Sequence, residues 1–367
     1  MILIGAFWGT LLLWQLSGVK EFTHMDLFEV NAHGQGQVYG WLCLALIGGC
    51  FRILAPRDTI PFSYFSLILI VFGIGLNMAG LYWISSLSAT VAGGLCLIAA
   101  ALIFCLQIYK RASEFERSSP PFLRAGLIFF FLSTLYSFWH HEKISMLAGG
   151  TEAFEQVANF QAPLRDIQIH GMALFLAAGL LSSSKSWKGF SLLLLGVFGE
   201  MVLFLIYRIT GQTIYAAFLF LPWIFLFLGT LLTRLPFKWP YRWLILSLGM
   251  LLVLPLYSFL SHQTFSHAYY GAIRHAVTVG CFSQLALFLM PLRNKNQRSL
   301  FSWAIVLLNI GCLARVALQI LSDFHPIGFA LIPLSGATEF ASMIIAYGAI
   351  AFDLAPHKLA NHSKQQP

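Results

Sequence analysis

The sequence predicts an all-α integral membrane protein of about twelve transmembrane helices, with both termini in the cytoplasm. Three observations predict it. Of 367 residues, 58% are hydrophobic and only 10% are charged, whereas a soluble domain carries roughly 25% charged residues to keep its surface wet. The apolar residues fall in runs long enough to cross a bilayer. The basic residues fall in the short connections, mostly on one side.

A helix needs roughly 20 apolar residues to cross about 30 Å of hydrocarbon. Runs of that kind lie at about 2–18, 33–54, 61–83, 87–109, 122–141, 166–184, 187–208, 213–233, 243–261, 272–292, 300–321 and 330–354. The first has no Lys or Arg ahead of it and no convincing small-x-small cleavage site, so it reads as a retained helix rather than a signal peptide. Glycine and proline inside the other runs are tolerated in a membrane. The longest connections are 110–121 and 142–165; the second is acidic, with Glu142, Glu152 and Glu155, and reads as a solvated outer loop. Residues 1–355 form one polytopic domain and 356–367 a short tail, with no low-complexity tract and no legible internal repeat.

Orientation follows from the basic residues. Sixteen of the 22 lie in the even-numbered connections, at the neighbouring helix ends or in the C-terminal tail, among them Arg52, Arg57, Lys110, Arg111, Arg124, Lys185, Arg242, Arg293 and Lys358. The other side holds Lys20, Lys143, Arg165, Arg208, Arg274 and Arg315. The excess of basic residues marks the cytoplasmic side. The formal net charge of +8 is thus a topology signal and not a nucleic-acid patch. The cell context this implies is a bacterial inner membrane.

The six cysteines, Cys43, Cys50, Cys96, Cys105, Cys281 and Cys312, all sit inside apolar runs without a CxxC or CxxCH. A disulfide framework and a c-type haem attachment are not indicated, and the residues read as small apolar filler. No Walker loop, dinucleotide-binding glycine fingerprint, HExxH or nucleophile elbow is present.

The histidines are distributed unevenly. With the topology above, nine of eleven fall near the outer side: His24, His33, His140, His141, His170, His262, His267, His275 and His325. His357 and His362 lie in the tail. Histidine is the commonest metal ligand, and polar groups at membrane depth usually mark function. At 1.5 Å per residue, His33 stands about 28 Å above Arg52, His275 about 27 Å above Arg293, His141 about 26 Å above Arg124 and His170 about 22 Å above Lys185. Four helices therefore bring imidazoles to one outer layer, where a haem could be held edge-on between two of them. Each histidine has a plainer reading beside this one. His33 is a ligand, with Gly34 and Gly36 admitting a flat group, or an interfacial histidine. His275, after Arg274, has the same two readings. His170 is a ligand or a hydrogen-bonded interhelical residue. The His140–His141 pair reads first as interfacial and solvated, and His262, His267 and His325 as wet loop residues.

Three charges lie within the runs. Arg315 and Glu339 come out at a similar depth, about 10–14 Å, and could pair across adjacent helices or, for Arg315, answer a haem propionate. Glu200 sits mid-helix in GVFGEMVLF, either in an interhelical hydrogen bond or in a proton relay.

At these segments the chain resembles the NnrS family of multi-helix membrane proteins, associated with haem, copper and the bacterial response to nitric oxide. The resemblance rests on AHGQGQVYG from Ala32 with Gly48, Gly49 and the Ala-Pro at 55–56, on RDIQIHGMALFLAAG around His170, on HAVTVG from His275, on LARVA around Arg315, and on the last helix from Pro333. Together these cover about a third of the chain. The family's HAHE segment is matched in part: its first histidine is Asn31 here, and its acidic residue is Gly34 or Gln35. More distantly, histidines on the second, sixth and tenth helices resemble subunit I of haem-copper oxidases. The seventh run carries Glu200 and no histidine pair, so a terminal oxidase is not expected.

What the resemblance implies is a haem b or copper site open to the periplasm that binds a small diatomic ligand such as nitric oxide under redox stress. His33 and His275 would be axial ligands, His170 a third or a copper ligand, and Arg274 and Arg315 the propionate partners. No ordinary enzyme activity is indicated. The alternative from another class is a proton-coupled twelve-helix carrier using Glu200, Glu339 and Arg315; carriers usually show repeats and broken helices at mid-membrane.

Overall fold

The computed structural model describes residues 2–20, 25–54, 60–82, 86–113, 119–147, 151–182, 186–233, 235, 238–262, 266–289 and 295–354, and among these it is helical throughout, with no strand. The helical runs are α1 (Ile2–Val19), α2 (27–54), α3 (Ile60–Tyr82), α4 (Leu87–Arg111), α5 (Pro120–Met146), α6 (Thr151–Leu181), α7 (Trp187–Thr210), α8 (Thr213–Thr233), α9 (238–261), α10 (267–288), α11 (Lys295–Ser322) and α12 (Ile327–Leu354). Eight of them, α3 to α8 with α11 and α12, are long and apolar enough to cross a membrane. A ninth is α9, bent by 57° between Leu252 and Leu254. Pro255 comes directly after the bend, where its missing N–H makes the break inexpensive. The outward faces carry large apolar side chains, with Tyr64, Ile68, Phe72, Phe198, Phe259, Trp303 and Phe352 exposed. Such a surface cannot be kept in water and is matched to lipid. The chain is a multi-pass membrane protein.

Local sequence starts the helices. Asp26 accepts a hydrogen bond from Glu29 N at the head of α2, Ser186 from Gly189 N on α7, and Ser266 from Tyr269 N on α10. Each cap satisfies a backbone donor that the first turn leaves free. Pro120 opens α5 at a position that needs no N–H.

The acidic stretch expected as a solvated loop is instead mostly helix. α5 continues to Met146 and α6 begins at Thr151. The segment is polar on average, but its inner face finds partners: Tyr136 donates to Phe160 O at 3.0 Å, and Trp139 packs edge-on against Phe160 at 5.0 Å.

Burial sorts the helices into two layers. In α6, 94% of the membrane-spanning window is buried, against 33–56% for the other seven, so α6 is an inner helix. α2 and α10 join it. Each of the three carries a π-helical segment: Val38–Cys43 in α2, Ile167–Ala173 in α6 and Ala276–Ser283 in α10. These segments touch one another at the centre. A π turn inserts a residue into the helical ladder and rotates the turns beyond it. Here the altered backbone is served by nearby hydroxyls: Ser283 donates to Thr278 O at 2.9 Å and receives the Trp41 indole N–H at 2.7 Å.

Around this core the packing recurs every fourth helix. The pairs α3–α4, α5–α6, α7–α8 and α11–α12 are the most extensive, α4–α5 and α8–α9 link successive groups, and α12 closes the ring onto α1. In each group of four the second helix turns inward and bears the π segment. Close approach has a visible cause between α5 and α6, where a Cβ on Gly179 would stand 2.6 Å from Leu123 N.

Candidate functional site

Three polar knots gather where the inner helices meet. The first joins α6, α7, α8 and α10. His170, 4% exposed within the π segment of α6, donates from Nδ1 to Glu200 Oε2 of α7 at 2.7 Å. Trp223 of α8 donates to the other Glu200 oxygen at 2.8 Å. Asp166, one turn before His170, is buried and lies 3.9 Å from Arg274 of α10. One ligand atom from each of Asp166, His170 and Glu200 fits within a 4.8 Å group.

The second knot joins α10, α11 and α12. His275 donates from Nε2 to Glu339 Oε1 at 2.6 Å. Cys312 lies beneath, and His275, Cys312 and Glu339 also bring ligand atoms within 4.8 Å of one another. Arg315, 8% exposed, stands close enough for its charge to interact with Glu339 and Cys312, yet its Nε and Nη1 are enclosed without a hydrogen-bond partner. The expected Arg315–Glu339 pair is therefore not formed: the α10 imidazole takes the carboxylate.

The third knot lies between α1, α2, α5 and α6. His33 is partly buried, its ring 6.3 Å from Trp8 and against Gly9 of α1, and its Nδ1 is enclosed without a partner. The charges of Arg165, Arg315 and His275 all reach it. Gly34 lets Arg165 approach, since a Cβ there would meet Nη2 at 2.2 Å. Arg165 donates to Gln168 Oε1 at 2.8 Å, and the Gln161 amide oxygen accepts from its Nε and Nη2 at 3.0 and 2.9 Å. The amide nitrogen of Gln161 points to His140 Nε2 at 2.7 Å.

The remaining histidines divide between interior and surface. His140 and His141, expected to be solvated, are both fully buried. His141 accepts from Gln35 Nε2 at 2.6 Å, so a polar residue on α2 replaced water. His262, His267 and His325 are exposed. His24, His357 and His362 lie outside the described residues. The cysteines are free thiols, four of them buried. The sequence reading missed Asp166, Cys312, Trp223, Gln161 and Gln35 as partners. Asp166 had a signal, lying four residues before His170 and so on its face of a helix; the others carried none, because their partners are on distant helices.

The fold and these knots define an all-α multi-pass membrane protein with two histidine–carboxylate pairs, one buried and one part-buried, on its inner helices. Compared with known proteins, the chain matches no family model, no curated protein and no solved structure.

Proposed function

We propose that this is a metalloprotein of a bacterial cytoplasmic membrane, of the NnrS kind. It spans the membrane about twelve times with both termini inside and holds haem, or copper, toward the outer face. Its role is in the response to nitric oxide or related redox stress. The observation that carries the reading is an enclosed imidazole and an enclosed guanidinium without partners, His33 Nδ1 and Arg315 Nε and Nη1, in one neighbourhood. A buried polar group left unpaired is costly, and a metal on the imidazole with a carboxylate on the guanidinium would relieve both.

The donor set suits the group. His33 and His275 come from adjoining inner helices and would serve as iron ligands, with Arg274 and Arg315 near propionates. The Glu339 carboxylate on His275 is the type of partner that orients a ligating ring. His170, held by Glu200, would be a second metal ligand. Bound haem iron or copper would supply binding of a diatomic molecule such as nitric oxide.

The test is a reduced-minus-oxidised spectrum of protein purified from haem-replete cells. A Soret band that is lost or shifted in His33→Ala and His275→Ala is expected; no band, or one unchanged in both variants, overturns the reading. The two His–Glu pairs also suit proton exchange, which favours the carrier as a second reading. Substrate-driven proton flux in liposomes, abolished by Glu200→Gln, would establish the carrier in its place.

A further inference from the structure

We infer that Asp166, His170 and Glu200 form a binding site for one divalent first-row metal ion, separate from the His33–His275 neighbourhood. This deepens the metalloprotein reading of His170 by naming its companion ligands and the class of ion.

Three observations combine. The ligand atoms converge within 4.8 Å, and all three residues are buried. The π segment sets the geometry: it begins directly after Asp166 and contains His170, so both side chains leave α6 on the side of Glu200. The acceptors are unevenly satisfied. Glu200 is satisfied at both oxygens, by His170 and Trp223. Asp166 accepts no hydrogen bond from any described side chain, although a carboxylate has about four acceptor positions; its nearest cation is Arg274, 3.9 Å away and 29% exposed. Two carboxylates are thus held beside one imidazole in a largely buried site. A divalent cation is the simplest group that would use all three donors at once.

The chemistry of the set selects the ion. Two carboxylate oxygens and one imidazole nitrogen, without a thiolate, favour Fe(II), Mn(II), Co(II) or Zn(II) over Cu(I). Metal–ligand bonds of about 2.0–2.2 Å would widen the 2.7 Å His170–Glu200 contact to about 3 Å, the Nδ1 proton moving to Nε2 as the ion takes its place. Three protein ligands leave a coordination position open. Trp223, whose indole bonds Glu200, also lines an open groove of about 170 Å³ at the α9 bend, together with Thr213, Phe220, Leu254 and Pro255.

The experiment uses the full-length chain in detergent, stripped with chelator and titrated with Co(II). One equivalent should bind with visible d–d absorption and without a thiolate charge-transfer band. Glu200→Gln and Asp166→Asn should each weaken binding at least tenfold, while Cys312→Ser leaves it unchanged. No Co(II) uptake by the wild-type chain overturns the inference. So does uptake undiminished in Glu200→Gln and Asp166→Asn, or uptake abolished by Cys312→Ser, which would place the ion on the His275 knot. Wild-type stoichiometry and the absence of a thiolate band decide the matter even if a variant fails to fold. A missing Soret band with intact Co(II) binding would defeat the haem reading and leave this one standing.

Discussion

Arg315 and Glu339 occupy neighbouring helices, α11 and α12, at matched depth, yet they do not pair. Depth along a helix follows from residue number; direction around it does not. Gly311 lets Glu339 lie close to α11, since a Cβ there would stand 2.7 Å from Glu339 Cγ, and His275 reaches the carboxylate from α10. His141 teaches the same lesson. An imidazole expected in water is enclosed because Gln35 offers a donor at 2.6 Å and Ser137 lies 3.1 Å away. Replacing it should therefore be costly. His141→Ala leaves the Gln35 amide without that acceptor and should destabilise the protein by about 1–3 kcal/mol. Thermal unfolding in detergent measures this, and a variant as stable as wild type would return His141 to the solvated reading.

At the level of elements, a cap is local, since Ser186 and Ser266 sit next to the N–H groups they serve, but the apolar runs alone placed the second of these starts at 272 rather than 267. The π segments were not legible. A π turn survives where side chains satisfy its displaced carbonyls; Ser283 donates to Thr278 O, and the Trp41 indole that holds this hydroxyl lies 242 residues away in sequence. Helix contacts give a paired prediction. Gly179→Ala drives a Cβ toward backbone of α5, which cannot step aside, and should cost about 1–3 kcal/mol. Gly249→Ala meets nothing within 4 Å and should be neutral or stabilising by up to about 1 kcal/mol. Unfolding both variants in one detergent checks the sign of each; equal shifts would refute the close α5–α6 approach.

On the scale of the whole molecule, each of three groups of four helices turns one helix inward, and the chemistry lies where these inner helices meet. The positive-inside orientation gives a direct prediction for this arrangement. In intact spheroplasts an impermeant maleimide should label Gln212→Cys, in the connection after α7, and should spare Lys188→Cys until the membrane is opened; the reverse pattern inverts the topology. Membrane residence was determined by the sequence alone, because transfer into lipid sums over residues and needs no knowledge of neighbours. The expectation that the histidines share one depth also came from the sequence alone, because helical rise is constant. Which histidine meets which carboxylate, which arginine is left unpaired, and which helices are interior were decided only by the tertiary structure. Those outcomes depend on the rotation and contacts of helices far apart in the chain, and no local pattern of residues encodes them.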